Sequence, residues 1–287
     1  MPASSPAPSS PSSPSSPSPA PSCSLPLFSG AFPSRDAVVA ALRGAGCVFA
    51  EDEAALILDA SRTAADLTAL VERRVTGLPL ELVLGWAEFR GLRVAVAPGV
   101  FVPRRRTEFL VSQALAQVPR AEVVVDLCCG SGAVGAALAA ALGRPEVHAA
   151  DVDPAAVRCA RGNLADAGGR VYAGDLFDAL PDTLRGRVDI LAANVPYVPT
   201  GEVALLPAEA RDHEPLVALD GGSDGLDVLR RVAAAAPGWL APGGCLLVET
   251  SERQAADAVG AFARAGLTTR LAVCEDLYAH VVIGVRD

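Results

Sequence analysis

The chain has 287 residues, 51% hydrophobic and 20% charged, with a formal net charge of −9. That length suffices for a buried core in one large or two modest domains, and the acidic balance speaks against stable binding to nucleic acid, where phosphate contacts call for a basic face. The most apolar run, Val123 to Leu142, is broken by Asp126, Gly130 and Gly132, so no membrane span is expected; lacking a basic and then apolar leader pattern, the chain reads as cytoplasmic.

The seven cysteines (Cys23, Cys47, Cys128, Cys129, Cys159, Cys245, Cys274) are odd in number and lack a C-x-x-C spacing, so neither a disulfide framework nor a metal site is expected. Residues 1–30 are rich in Ser and Pro; such a segment cannot bury enough apolar area to offset its ordering entropy and is expected to be a disordered tail. Residues 31–86 predict a small helical domain. Ser34 and Asp36 precede an Ala/Val/Leu run, and 52–60 and 64–76 carry apolar residues at helical spacing. Residues 87–105 alternate through Phe89, Leu92, Val94 and Val96, which predicts a hairpin linker turning at Pro98-Gly99.

Residues 106–287 open on a helix ending near Val118 and then alternate in type. Strands are expected at 122–127, 146–151, 170–174, 187–193, 243–250, 269–274 and 279–285. Helices are expected at 133–143, 154–167, 223–237 and 251–265. Such alternation predicts βαβ units and an α/β domain whose mainly parallel sheet is covered on both faces.

The first strand carries Asp126 and runs into Cys128-Cys129-Gly130-Ser131-Gly132 before a helix begins. Glycines there let backbone pass close to a ligand, and the helix start presents free N–H groups. Asp151 ends the second strand, where a carboxylate can accept ribose hydroxyls. Asp175 follows the third strand and is placed to accept an adenine amino group. A dinucleotide enzyme would use similar features, so these alone leave the cofactor open.

Asn194-Val195-Pro196-Tyr197 closes the next apolar strand. Here the chain resembles the HemK-like glutamine N5-methyltransferases that modify peptide-chain release factors, which carry Asn-Pro-Pro-Tyr at this place. Three further segments resemble that family in the same order: 79–92, Phe101-Val102-Pro103-Arg104-Arg105-Arg106-Thr107-Glu108, and Glu214-Pro215 with Ala218 to Leu226. The resemblance implies a Rossmann-like, seven-stranded methyltransferase domain with its last strand reversed, using S-adenosylmethionine. It implies cofactor contacts at Asp126, Cys128, Cys129, Gly130, Ser131, Gly132, Asp151, Asp175, Leu176 and Asn194. It implies a catalytic and substrate-binding loop at Asn194, Val195, Pro196 and Tyr197, with Phe101, Pro103 and Arg104 bordering a glutamine pocket. The implied partner is a release factor presenting a Gly-Gly-Gln loop.

An amide nitrogen is a poor nucleophile because its lone pair is delocalised. Asn194 Oδ1 and the Val195 carbonyl could each accept one N–H and turn the nitrogen toward the methyl donor, which is catalysis by positioning and by dipoles. Three departures mark a divergent member: Cys128 replaces a glycine, Val195 a proline, and Arg105-Arg106 a Pro-Glu pair, which is expected to make the pocket rim basic. Two other readings stay open, an amino-methyltransferase acting on adenine N6 in nucleic acid, and a non-catalytic family member.

Overall fold

A computed structural model describes residues 32–287; the tail expected at 1–30 lies outside them. Four helices come first: α1 (Arg35–Gly44), α2 (Ala50–Ala60), α3 (Ala64–Val75) and α4 (Leu80–Leu84). Ser34 caps α1 by accepting the Ala37 N–H, and Thr63 and Asp66 form a reciprocal capping box on α3. Val38, Leu42, Ile57, Leu67 and Val71 form a cluster of their own.

Strands β1 (Trp86–Phe89) and β2 (Leu92–Ala95) pair antiparallel in the register Phe89↔Leu92. The turn therefore lies at Arg90-Gly91, not at Pro98-Gly99 as the sequence predicted. Arg90 and Gly91 take φ of 49° and 75°, the left-handed pair that a two-residue hairpin needs. Pro98 lacks the N–H that a ladder uses, and the chain instead leaves the hairpin there, with the Val100 N–H on the Ala97 carbonyl at 3.1 Å.

The rest alternates: α5 (Glu108–Gln117), β3 (Val123–Leu127), α6 (Ala133–Leu142), β4 (Glu146–Asp151), α7 (Pro154–Asn163), β5 (Arg170–Ala173) and β6 (Val188–Ala193). Then come α8 (Ala208–His213), α9 (Leu216–Leu219), α10 (Asp227–Ala235), β7 (Leu240–Thr250), α11 (Ala255–Arg264), β8 (Thr268–Cys274) and β9 (Ala279–Val285). One seven-stranded sheet has the order β5-β4-β3-β6-β7-β9-β8. Its strands run parallel except β9, which is antiparallel to both neighbours. Alternate side chains feed separate cores on the two faces: Val125, Leu127, Leu191 and Val248 in one, Val124, Ile190, Ala192 and Leu247 in the other.

From β3 the chain winds outward to β4 and β5, then crosses back to β6 on the other side of β3. The carboxyl ends of β3 and β6 thus border the crevice where strand order reverses, the usual ligand position in open α/β sheets.

Candidate active site

A cavity of about 680 Å³ opens at that crevice. Phe101, Pro103, Arg104, Asp126, Cys128, Cys129, Gly130, Ser131, Asp151, Asp175, Leu176 and Asn194 through Tyr197 all line it. Gly132 does not. It sits at φ 78°, and a Cβ there would lie 3.1 Å from Ala160 Cβ and 3.2 Å from Ala160 Cα. Gly132 thus packs α6 closely against α7.

At one end of the cavity the loop after β3 is held by β4. The Gly130 N–H donates to Asp151 Oδ2 at 2.9 Å, and the Cys129 N–H donates to the Ala150 carbonyl at 3.1 Å. Asp151 Oδ1 accepts the Asp153 N–H at 2.9 Å, so each oxygen keeps a lone pair for a hydroxyl. Burial raises the Asp151 carboxyl above its ordinary pKa, against the pull of those backbone N–H groups. Asp126 is buried beneath α6, where its Oδ2 accepts the Gly135 N–H at 2.9 Å. Desolvation pushes its pKa up to about 8. Asp175 is exposed and paired with Arg231 at 2.6 Å, so an adenine amino group would share that carboxylate with a guanidinium. Val152, Leu176 and Val228 add apolar wall. Acids with spare lone pairs beside an apolar slot and a helix N-terminus suit a nucleoside carrying an amino-acid tail, and so fit S-adenosylmethionine.

Cys128 takes the left-handed φ of 53°, a region where glycine is at ease and a residue with a Cβ is strained. Its thiol is pushed far above the ordinary range by burial and then by Asp151, Asp126 and Asp175, and it stays protonated.

At the other end lies the loop after β6. Asn194 Nδ2 donates to Thr107 Oγ1 at 3.4 Å, which sets the orientation of the amide. Asn194 Oδ1 is buried and has no donor among the described residues. Val195 is buried at 1% exposure. The Tyr197 hydroxyl receives an N–H from Arg106, and Arg106 Nε pairs with Glu249 at 2.9 Å. Arg104 pairs with Glu214 at 2.6 Å and lies over the Phe101 ring. The basic rim expected from the arginines is therefore not realised. Arg104 and Arg106 each face a buried carboxylate, and Arg105 does not line the cavity.

Sequence reasoning gave no role to Thr107, Glu214 or Glu249, and read Arg106 only as part of a basic rim. A further support is the glycine segment before α10. A Cβ at Gly225 would lie 2.2 Å from the Tyr197 carbonyl oxygen, and one at Gly221 would lie 2.6 Å from that of Pro196. Gln254 Nε2 donates to the Tyr197 carbonyl at 2.9 Å. The spacing Asp220-Gly221-Gly222-Ser223-Asp224-Gly225 was the available signal, since repeated glycines mark close backbone approach.

Residues 91–208 match the family model described as "Methyltransferase small domain". A T. Thermophilus 16S rRNA N2 G1207 methyltransferase, solved with AdoMet and guanosine, superposes with a TM-score of 0.52 at 21% identity. That match covers 70% of this chain and 50% of that one, and it concerns the fold. A protein of Streptomyces pristinaespiralis named 4-amino-L-phenylalanine/4-methylamino-L-phenylalanine methyltransferase is 38% identical, covering 68% of this chain and 69% of its own. The Release factor glutamine methyltransferase of Geobacter sulfurreducens is 43% identical over 199 residues, 69% of each chain. With that identity over that span, and a methyltransferase fold around the cavity, the chain belongs to the release factor glutamine methyltransferase family.

Proposed function

We propose that this protein transfers a methyl group from S-adenosylmethionine to the side-chain amide nitrogen of a glutamine in a peptide-chain release factor, presented in a Gly-Gly-Gln loop. The observation that carries the proposal is Asn194 Oδ1, a buried acceptor with no donor among the described residues, at the end of β6. An unsatisfied buried acceptor is costly, and an incoming amide N–H would relieve that cost.

The bound cofactor supplies an electrophilic methyl group; the rest of the chemistry falls to the chain. Asn194 Oδ1 accepts one N–H of the substrate amide and the Val195 carbonyl the other. This holds the NH₂ group still, and the two dipoles stabilise the positive charge that develops on nitrogen as it gains the methyl group; the nitrogen then sheds one proton to water, which restores the neutral amide. Tyr197 and Phe101 give apolar surface to the planar amide, and Pro196 stiffens the loop. Only the Val195 carbonyl is needed, so the departure from proline at that position leaves the chemistry intact. Asp151 holds the ribose, and the walls formed by Leu176 and Val228 hold the base.

Among the described residues no helix is long and apolar enough to cross a membrane; a cytoplasmic place goes with the release-factor reading. A second reading is favoured by the Streptomyces pristinaespiralis relative, whose named substrate also presents an amino group on a flat, conjugated system. The test is a panel assay with labelled cofactor: release factor, the same factor with the loop glutamine changed to alanine, 4-amino-L-phenylalanine, and DNA or RNA oligomers. Label in the first alone supports the proposal. Label only in the amino acid promotes the second reading, and label only in nucleic acid overturns both.

A further inference from the structure

We propose that Arg106, anchored on Glu249, is a positioning residue that fixes the Tyr197 ring and thereby sets the wall against which the acceptor group lies. The identity of that acceptor rests on the function proposed above; the positioning itself rests on geometry. Glu249 stands near the end of β7, the neighbour of β6, with Ala193 paired to Val248. Its side chain is 2% exposed, and its Oε1 holds Arg106 Nε at 2.9 Å. From the same guanidinium a second nitrogen donates to the Tyr197 hydroxyl. A planar fork holding two partners at once transmits the position of one to the other. Tyr197 is thereby tied to the central sheet through a residue 91 positions away in sequence.

The same short turn, Arg105–Thr107, presents Thr107 to Asn194. One turn thus holds both ends of the Asn194–Tyr197 loop. A purely structural ion pair could end at Glu249, yet the Arg106 side chain is 43% exposed and lines the cavity. Among the described residues Glu249 Oε2 is buried without a donor, and Arg106 is the partner of this buried charge. Lysine has no rigid fork and could not hold both contacts in this geometry.

The titratable and charged groups acting on the Tyr197 phenol are Glu249, Arg106 and Arg104. Burial raises its pKa most, Glu249 raises it further, and the two arginines pull it down. Removing the guanidinium should therefore move the phenol's titration to higher pH. The experiment uses protein carrying ¹³Cζ-tyrosine, with the Tyr197 resonance assigned by Tyr197→Phe. Arg106→Met should raise the Tyr197 titration and leave Tyr172 and Tyr278 unmoved. It should also lower kcat/KM for release factor roughly tenfold, the scale of one hydrogen bond to a charged donor, with cofactor Kd unchanged. The double variant Arg106→Met with Tyr197→Phe should be no slower than either single one. Arg106→Lys keeps a charge beside Glu249 and loses only the hydrogen bond to the phenol, so it should hold the melting temperature while the Tyr197 titration rises by less than in Arg106→Met, which covers the case where Arg106→Met does not fold. An unmoved Tyr197 titration, or single effects that multiply, would overturn the proposal. Wild-type protein that methylates no release factor would remove the acceptor reading, while the titration still decides the positioning.

Discussion

Asp151→Ala tests whether the second strand builds the cofactor site. Its carboxylate accepts the Gly130 N–H and the Asp153 N–H, both at 2.9 Å. A hydrogen bond to a charged group is worth about 1.5–3 kcal/mol. The Asp153 N–H lies at the start of α7 and can turn to water once the carboxylate is gone. The Gly130 N–H belongs to the loop that lines the cavity, so its loss acts directly on ligand binding. Counting that bond alone, the loop's bound geometry becomes less favourable by about 1.5–3 kcal/mol, or roughly 10–150-fold in cofactor Kd. Lost ribose contacts would add to this. Calorimetric titration of S-adenosylmethionine into wild type, Asp151→Ala and Asp151→Asn gives the ordering: alanine weakest, asparagine between, since one amide oxygen can still accept. An unchanged Kd for Asp151→Ala would show that the loop does not depend on this carboxylate and would refute the reasoning.

Asn194→Ala should lower single-turnover methyl transfer by on the order of 10²–10³, as for other lost positioning dipoles, with cofactor Kd unchanged; weakened cofactor binding with intact chemistry would contradict the assignment. Gly132→Ala combines a left-handed φ of 78° with a contact of 3.1 Å to Ala160 Cβ. The first costs about 1–2 kcal/mol and overpacking about 1–3 kcal/mol, so urea unfolding should show a loss of about 2–5 kcal/mol. For Asp126, burial lifts the folded pKa from 3.8 to about 8. Between those values the folded state holds a proton that the unfolded state has lost, so this group's contribution to stability falls as pH rises. Asp126→Asn should therefore melt progressively higher relative to wild type from pH 5 to pH 8; a constant difference across that window would count against the buried, proton-holding carboxyl.

Features set by local chemistry were readable before the structure. The β-branched run Val123-Val124-Val125 reads as a strand buried on both faces, and Gly130 and Gly132 after it punctuate the passage to a helix. Asn194 to Tyr197 stood out because it closes an apolar strand in the manner of the Asn-Pro-Pro-Tyr of the family that the chain resembles. Features set by partners distant in the chain were not. Arg106 meets Glu249 across 143 positions, so Arg105-Arg106 read as a basic rim when Arg106 in fact faces a buried acid; the pairing of Arg104 with Glu214 across 110 positions was likewise out of reach. An acid near the end of β7, where the strand is buried from Gly244 to Thr250, was the one hint of Glu249. The hairpin turn was misplaced because Pro98-Gly99 carries the stronger turn chemistry, while the register chose Arg90 for a left-handed φ that its residue type does not announce. Gly132 reads as part of a glycine-rich cofactor loop, while its close approach to Ala160 is a tertiary contact that the sequence does not announce.

The most direct test of the account is peptide mapping by tandem mass spectrometry of an unmodified release factor incubated with this protein and S-adenosylmethionine. The account predicts one added methyl group on the side-chain nitrogen of the glutamine in the Gly-Gly-Gln loop, and its absence with the Asn194→Ala variant. A release factor that stays unmethylated, or a methyl group on another residue, while the protein binds cofactor tightly, would contradict it.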